Sequence, residues 1–346
     1  MPRPLPPADL EHVLAHTRPL WDELEGARLF ITGGTGFFGI WLLESLIFAR
    51  EQLRLDIHAT ILSRSPGAFH TRLPHLAKNP ALDWLTGDVR DFAFPATPFT
   101  HIIHGATEIH VRGVPEPPLT SFDTIVQGTR RVLDFALHAG ARNVLLIGSG
   151  AVYGPQPPEL THIPEHYNGA PDCSDATSAY AEGKRAAELL GTLYAQQFGL
   201  ETKIARCFTF VGPHLPMDKH FAIGNFMNDV LHGRNITVQG DGSPLRSYLH
   251  MADLVIWLLT ILLKGQVGRP YNVGSDQSLN IAALAGLVAD TPLGRQQQSQ
   301  TLRPPASGKA PQRYVPDITR ARQELGLTVR IPLAEAIRRT LEWHLP

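Results

Sequence analysis

Thr32-Gly33-Gly34-Thr35-Gly36-Phe37-Phe38-Gly39 is the stretch that decides the fold. It follows an apolar run of strand length, 28–32 (RLFIT), and precedes the run 41–50, whose apolar residues recur at helical spacing. A glycine-rich turn between a strand and a helix is the fingerprint of a dinucleotide-binding unit, because the turn leaves room for a pyrophosphate and the free N–H groups of the helix donate hydrogen bonds to it. We assign Gly33 to the sharp turn, Gly36 to the approach of the pyrophosphate and Gly39 to helix packing. The predicted cofactor contacts at this turn are Thr32, Gly33, Gly36, Phe37, Phe38 and Gly39.

Strand-like and helix-like segments alternate as far as residue 207. Strands are expected at 57–62, 83–86, 101–104, 143–147 and 202–205, and long helices at 121–139 and 178–198. This alternation predicts an α/β fold, a Rossmann doubly wound parallel sheet with helices on both faces. Prolines and glycines become dense after residue 207. We therefore expect an N-terminal extension (1–26), a dinucleotide-binding Rossmann domain (27–207) and a smaller α/β substrate lobe (208–346) that returns in places to the main sheet.

The composition excludes several classes of protein. The net charge of −1 and the absence of a basic stripe argue against a nucleic-acid partner. The most apolar run, 254–263 (LVIWLLTILL), has half the length of a membrane span, so it predicts a buried helix and no membrane insertion. No apolar core of signal-peptide length occurs in residues 1–19, and we expect a cytoplasmic protein. Cys173 and Cys207 could pair but are expected to be free thiols there, and no metal-ligand spacing is present.

The end of the second strand carries Ser63 and Arg64. An NAD-preferring fold usually presents a carboxylate at this point to bind the ribose 2′-hydroxyl. A hydroxyl beside a guanidinium suits a 2′-phosphate instead, because arginine offers phosphate a planar fork of donors. The pair therefore favours NADP over NAD, unless Arg64 is only a solvated surface charge.

Tyr180 and Lys184 begin a helical segment and are four residues apart, so they share one face of the helix. A phenol with a pKa near 10 is a poor base at neutral pH, and a neighbouring cation favours its ionised form. The spacing is common in helices and gains weight only beside other motifs. One such motif is 148–154, which follows the fifth strand and contains Ser149.

The G-x-x-G-x-x-G turn, this serine motif and Tyr-x-x-x-Lys together resemble the extended short-chain dehydrogenase/reductase family, in its nucleotide-sugar epimerase, dehydratase and ketoreductase branch. The resemblance covers residues 27–345. It implies that Ser149, Tyr180 and Lys184 are catalytic: Ser149 hydrogen-bonds the reacting oxygen, Tyr180 transfers the proton, and Lys184 tunes Tyr180 and holds the nicotinamide ribose. It also implies a homodimer formed by the helices at 121–139 and 178–198. Further implied cofactor contacts are Asp88, Val89, His104, Gly105, Ala106, Tyr180 and Lys184.

The resemblance extends to the substrate lobe and has one informative departure. Sugar 4,6-dehydratases of this family carry Asp-Glu directly after the Ser/Thr, whereas this chain has Gly150 and Ala151, which cannot transfer a proton. The departure argues against a 4,6-dehydratase. Arg246, in the segment 240–253, matches the arginine that grips the sugar nucleotide's diphosphate, with a surface ion pair as the alternative. Further predicted substrate contacts are Glu108, Ser149, Gly150, Thr209, His220, Asn225 and Arg313.

The resulting hypothesis is an oxidoreductase in which NADPH reduces the C4 ketone of a nucleotide-activated sugar and Tyr180 protonates the new alkoxide. Net reduction is favoured because an epimerase recycles its own cofactor and usually holds NAD, which does not suit Arg64. The alternatives are a C4 epimerase that retains NAD and a decarboxylase of a sugar acid. A non-catalytic dinucleotide sensor is the rival from another class, although a sensor would not need the Tyr–Lys pair.

Overall fold

A seven-stranded parallel sheet forms the centre of the protein. The computed structural model describes residues 3–107, 117–217, 221–304 and 310–345. The sheet strands are β1 (Arg28–Thr32), β2 (His58–Ser63), β3 (Leu82–Thr86), β4 (His101–His104), β5 (Asn143–Ser149), β6 (Glu201–Cys207) and β11 (Pro270–Val273). Their order is β11-β6-β5-β4-β1-β2-β3, and every neighbouring pair is parallel. The predicted doubly wound Rossmann sheet is therefore confirmed.

Helices cover both faces of this sheet. In chain order, the α-helices of the described residues, including those of the region after β6, are α1 (Pro7–Trp21), α2 (Phe37–Leu53), α3 (Pro66–Arg72), α4 (Pro74–Ala77), α5 (Pro118–Ala139), α6 (Ala179–Phe198), α7 (Ala222–Leu231), α8 (Met251–Lys264), α9 (Ile281–Ala289), α10 (Thr319–Leu325) and α11 (Leu333–His344).

The side chains of β1 show why the strand is apolar throughout. Leu29 and Ile31 belong to a core shared with α1, α2 and α8, while Phe30 belongs to a second core shared with α5 and α6. Because successive side chains of a strand point to opposite faces, a strand buried on both faces is a continuous apolar run and not an alternating one. The sheet thus separates two hydrophobic cores.

The apolar run 254–263 lies inside α8, and its residues from Leu254 to Leu262 are buried. This confirms the prediction of a buried helix. Within the described ranges, no helix combines the length and the apolar character needed to cross a membrane. Helix α1 is also part of the core, since Leu10, Val13 and Trp21 are buried in it.

Three small sheets follow β6 and build the region beside the sheet's C-terminal edge. Their strands are β7 (Phe210–Val211), β8 (Ile236–Val238), β9 (Leu245–Arg246), β10 (Leu249–His250), β12 (Leu279–Asn280), β13 (Ser299–Thr301) and β14 (Arg313–Tyr314). β7 pairs with β10, β8 pairs with β13, and β9 lies between β12 and β14. The chain returns to the main sheet at β11, and the domain boundary at residue 207 stays a prediction.

Candidate active site

The glycine turn between β1 and α2 contains contacts that only glycine permits. Gly33 has a φ of +75°, and a Cβ atom there would lie 2.6 Å from the backbone of Gly105. A Cβ atom at Gly39 would lie 2.3 Å from the Cα of Gly34. The first N–H groups of a helix have no partner within the helix, so this turn brings the donors of α2 to the cavity beside it.

That cavity has a volume of about 660 Å³ and runs past the C-terminal ends of β1, β2, β4 and β5. The sheet order reverses between β1 and β4, which is where doubly wound sheets bind their ligands. The structure brings nearly all the predicted cofactor residues to this one cavity. Those that line it are Thr32, Gly33, Gly36, Phe37, Phe38, Gly39, Ser63, Arg64, Asp88, Val89, Gly105, Ala106, Tyr180 and Lys184.

His104 is the exception, because it does not line the cavity. Its ring is buried behind the wall, with Nδ1 2.8 Å from the Thr32 hydroxyl and Nε2 3.1 Å from the Thr129 hydroxyl. Burial lowers the pKa of His104 to about 3, so the ring is neutral at physiological pH. His104 thus holds Thr32, whose hydroxyl also accepts the N–H of Ala106 at 3.1 Å, and a direct contact of His104 with a cofactor stays a prediction.

Two arginines line the cavity beside the end of β2. Arg64 follows Ser63 directly, and Arg72, at the end of α3, was not predicted. The Arg72 guanidinium donates to the carbonyl oxygen of Thr35 at 2.6 Å and lies over the Phe69 ring at 5.3 Å from its centroid. Arg72 is therefore tied to the glycine turn itself, and it lines the same cavity as Arg64.

Asp88 is the only carboxylate among the described residues that line the cavity. Its two oxygens accept from Nε and Nη2 of Arg90 at 2.8 and 3.0 Å. The Arg90 guanidinium is the main reason that the pKa of Asp88 is lowered, and the charge of Arg64 adds to the effect. Asp88 is thus ionised and paired with Arg90. It follows β3, which is an edge strand of the sheet and is distant from β5.

Ser149, Tyr180 and Lys184 meet at the other end of the cavity, where β5 ends and α6 begins. The Ser149 hydroxyl accepts the N–H of Ala151 at 3.2 Å, and hydrogen bonding with Ser149 acts to lower the pKa of Tyr180. The Lys184 ammonium donates to the carbonyl oxygen of Ile147 at 2.9 Å and lies 6.0 Å from the centroid of the Tyr180 ring. The three residues predicted to be catalytic are therefore neighbours.

Burial governs the ionisation of this group. Burial raises the pKa of Tyr180, and the hydrogen bond from Ser149 acts in the opposite direction. Burial lowers the pKa of Lys184 to about 8. We expected the Lys184 charge to lower the pKa of Tyr180. In this structure burial of the phenol is the largest influence, and the pKa of Tyr180 is raised.

Position 150 has no room for a side chain. A Cβ atom on Gly150 would lie 2.7 Å from the Tyr314 hydroxyl and 2.7 Å from Cζ of Phe208. Gly150 does not line the cavity, so the predicted substrate contact there is replaced by these two rings. Tyr314 was not predicted, and hydrogen bonding with Ser149 acts to lower its pKa against the larger effect of burial. No sequence pattern indicates it, because it belongs to the short strand β14.

Of the remaining predicted substrate residues, those that the structure describes do not line the cavity. Thr209 donates its hydroxyl proton to the carbonyl oxygen of Ser247. Asn225 lies in α7, and Arg313 and Arg246 lie on the adjacent strands β14 and β9. Arg246 faces Tyr314 in this pairing, and its charge lowers the pKa of that phenol slightly against the effect of burial. Glu108 and His220 lie outside the described residues.

Cys207 ends β6 and lines the cavity beside Tyr180 and Lys184. It is a free thiol, as predicted, and burial raises its pKa to about 12. The thiol therefore stays protonated. Its position in the site was missed, because one cysteine at a strand end carries no sequence signal of its own.

Residues 29–274 match the sequence family described as the NAD dependent epimerase/dehydratase family. The chain belongs to this family. Its relatives there include UDP-glucuronic acid decarboxylase 1 of Arabidopsis thaliana, with 30% identity over 315 residues that cover 90% of this chain and 68% of that protein. They also include the dTDP-glucose 4,6-dehydratase of Streptomyces antibioticus, with 29% identity and 92% coverage of each chain. The structure of dTDP-glucose 4,6-dehydratase from Streptomyces venezuelae, determined with NAD bound, superimposes with a TM-score of 0.74 at 26% identity and covers 92% of this chain and 96% of that one.

Proposed function

We propose that this family member is an NADP-dependent oxidoreductase that reduces the C4 ketone of a nucleotide-activated sugar. The observation that carries the proposal is the chemistry of the cavity end formed by Ser149, Tyr180 and Lys184. Among the described lining residues, the only carboxylate is Asp88, which is paired with Arg90 away from this end. One phenol can pass the single proton that ketone reduction needs, whereas loss of water from neighbouring carbons needs a separate acid and base.

The cavity fits a nicotinamide dinucleotide. Gly33 leaves space at the turn that a Cβ atom would fill. The Thr107 hydroxyl also lines the cavity, and it is buried without a hydrogen-bond partner among the described residues. When bound, a reduced nicotinamide cofactor supplies the hydride. The residues that would hold it are those of the turn, Ser63 and Arg64 at the ribose, and Lys184 at the other end.

The reaction then uses one proton and one hydrogen-bond donor from the chain. The Tyr180 phenol donates its proton to the oxygen that becomes an alkoxide at C4. The Ser149 hydroxyl donates a hydrogen bond to the same oxygen and stabilises the charge that develops there. Because burial raises the pKa of Tyr180, the phenol is protonated before the reaction, as an acid must be.

The choice of NADP rests on the end of β2. Ser63, Arg64 and Arg72 line the cavity there, and no carboxylate follows β2 at the position that would hold a 2′-hydroxyl. Two guanidinium groups offer a 2′-phosphate charge-assisted hydrogen bonds, which are stronger than those between neutral groups. A ribose without the phosphate gains nothing comparable from them.

The test begins with the nucleotide carried by the purified protein, released by denaturation and identified by mass spectrometry. We expect an empty site or NADP, and NADPH oxidation when nucleotide-linked 4-ketosugars are added. Stoichiometric, tightly held NAD would contradict the proposal and indicate a self-recycling C4 epimerase. Dinucleotide binding without turnover of any of the added 4-ketosugars would indicate a non-catalytic dinucleotide sensor.

Decarboxylation of a nucleotide-activated sugar acid is a second candidate, favoured by the similarity to UDP-glucuronic acid decarboxylase 1 of Arabidopsis thaliana. Oxidation at C4 would convert a C5 carboxylate into a β-keto acid, which loses carbon dioxide readily, and Tyr180 would act first as base and then as acid. Release of carbon dioxide from UDP-glucuronic acid, with NAD retained by the protein, would select this function over ketone reduction.

A further inference from the structure

Tyr314 reaches the active site from the far end of the chain. Its strand β14 runs parallel to β9, with Tyr314 opposite Arg246. Its ring packs on Phe208 with the centroids 4.6 Å apart. The hydroxyl at the tip of this ring lies where a side chain at position 150 would begin, since a Cβ atom on Gly150 would be 2.7 Å from it. Glycine at 150 is therefore what admits the phenol to the vicinity of Ser149.

The position of the Tyr314 hydroxyl matters because Ser149 can make only a few hydrogen bonds. A serine hydroxyl has one proton to donate and two lone pairs that accept. The N–H of Ala151 donates to the oxygen at 3.2 Å and occupies one lone pair. Hydrogen bonding with the same hydroxyl acts on the pKa values of both Tyr180 and Tyr314, and the Tyr314 hydroxyl lies 2.7 Å from where a Cβ atom on the adjacent Gly150 would be. If Tyr314 donates to the second lone pair, the single Ser149 proton remains for Tyr180 and for a substrate oxygen beside it.

We infer that Tyr314 is a positioning residue: it donates a hydrogen bond to Ser149 and so directs the Ser149 proton toward Tyr180 and the reacting oxygen. This inference rests on the proposed function, because that function places the reacting oxygen between Ser149 and Tyr180. Tyr314 suits a constant donor, since burial raises its pKa and keeps the phenol protonated. The titratable and charged groups that face the two phenols are Cys207 on β6, Arg246 on β9 and Lys184 on α6.

The test compares Tyr314→Phe with Tyr167→Phe. Phenylalanine keeps the ring that packs on Phe208 and removes only the hydroxyl. Tyr167 packs against the same hydrophobic cluster as Tyr314, so its substitution is the matched control. The measurement is the ionisation of Tyr180 in the NADP⁺ complex, followed by tyrosinate absorbance. Each form is titrated with and without Tyr180→Phe, so that the difference isolates Tyr180 among the seven tyrosines.

In the Tyr314→Phe protein we expect the pKa of Tyr180 to rise by about one unit, because Ser149 is then free to turn its proton away from the phenolate. With a ketosugar substrate, kcat should fall about 10-fold at unchanged KM, as expected for a group that acts on proton transfer. The affinity for NADP⁺ should stay within about twofold, and Tyr167→Phe should match the wild type.

An unchanged pKa of Tyr180 in Tyr314→Phe would overturn the inference, whatever happens to the rate. A lower kcat without a change in that pKa would also count against it. The titration needs no turnover, so it tests Tyr314 even if no ketosugar is reduced. Conversely, ketone reduction by a Tyr314→Phe protein with an unshifted Tyr180 would leave the proposed function in place and remove only the role of Tyr314.

Discussion

Tyr180 and Lys184 are both buried, and burial moves their pKa values in opposite directions. It raises the pKa of the phenol and lowers that of the ammonium to about 8, since a desolvated site favours the neutral form of either group. The neutral phenol is ready to act as an acid. For the reverse reaction, the hydrogen bond from Ser149 and the positive charge of a bound oxidised nicotinamide would both favour the phenolate.

Replacing Tyr180 by phenylalanine tests its role as the proton donor. We expect turnover to fall at least about 1,000-fold, because the phenol that gives its proton to the reacting oxygen is lost, while NADPH affinity changes by less than about threefold. Steady-state kinetics and a fluorescence titration of NADPH give the two quantities. Near-normal activity of this variant would show that the proton comes from another group.

Replacing Arg64 by alanine tests the recognition of the 2′-phosphate. The loss of charge-assisted hydrogen bonds should weaken NADP⁺ binding about 10-fold or more and NAD⁺ binding by less than about twofold. Arg72→Ala should act in the same direction. Arg142, an exposed arginine before β5, is the control, and Arg142→Ala should leave both affinities unchanged. Equal losses for the two dinucleotides in Arg64→Ala would remove the case for NADP.

The low pKa of Lys184 makes a prediction about stability and pH. In the unfolded chain a lysine keeps its proton up to about pH 10.4, whereas folded Lys184 loses it near pH 8. The unfolded state therefore binds more protons between these values, and the free energy of unfolding should rise with pH across that window. The Lys184→Met protein should lack this rise. Across the window, the free energy of unfolding of the wild type should therefore increase by up to about 3 kcal/mol more than that of Lys184→Met. Urea unfolding of both proteins from pH 7 to about 10 measures the difference; parallel curves would contradict the shift.

At the scale of elements, the packing of α2 on the glycine turn is the most demanding contact of the site. A Cβ atom on Gly39 would lie 2.3 Å from the Cα of Gly34, so backbone would have to move. We expect Gly39→Ala to destabilise the protein by about 3 kcal/mol or more and to abolish dinucleotide binding. Thermal unfolding with and without NADPH measures both effects.

Gly286 offers a matched control within α9. No atom lies within 4 Å of a Cβ atom built there, and its backbone is helical. Gly286→Ala should therefore be neutral or stabilise the protein by up to about 1 kcal/mol, because alanine loses less conformational entropy than glycine in a helix. If Gly39→Ala behaved in the same way, the turn would be less tightly packed than the structure indicates.

At the scale of the whole molecule, α6 carries an exposed apolar pair next to α5. Leu189 and Leu193, one turn apart, are 60% and 37% exposed. We expect them to contribute to the homodimer, because an apolar helix face that repeats in a second copy can cover itself about a twofold axis. Light scattering after gel filtration should give a dimer for the wild type and a monomer for Leu189→Glu. Leu302, which is 51% exposed on another surface, supplies the control Leu302→Glu. A monomeric wild type would contradict the expectation.

The sequence by itself determined the parts of this protein that depend on short segments. The strand 28–32, the glycine turn and the helix after it were predicted correctly, because their signals are the apolar run, the glycine spacing and the helical periodicity. Tyr180 and Lys184 were paired because residues four apart share a helix face. The alternation of segments was also enough to predict the parallel sheet, since few topologies accommodate it.

Tertiary structure alone decided which distant residues complete the site. Arg72 meets the turn because α3 folds back along β2 to the carbonyl of Thr35, and Tyr314 meets Ser149 because β14 pairs with β9 in one register. His104 proved to support Thr32 from behind, a relation set by the pairing of β1 with β4. No local pattern encodes these contacts, because a side chain's neighbours across a sheet or lobe depend on strand order and register, which arise only when the whole chain packs.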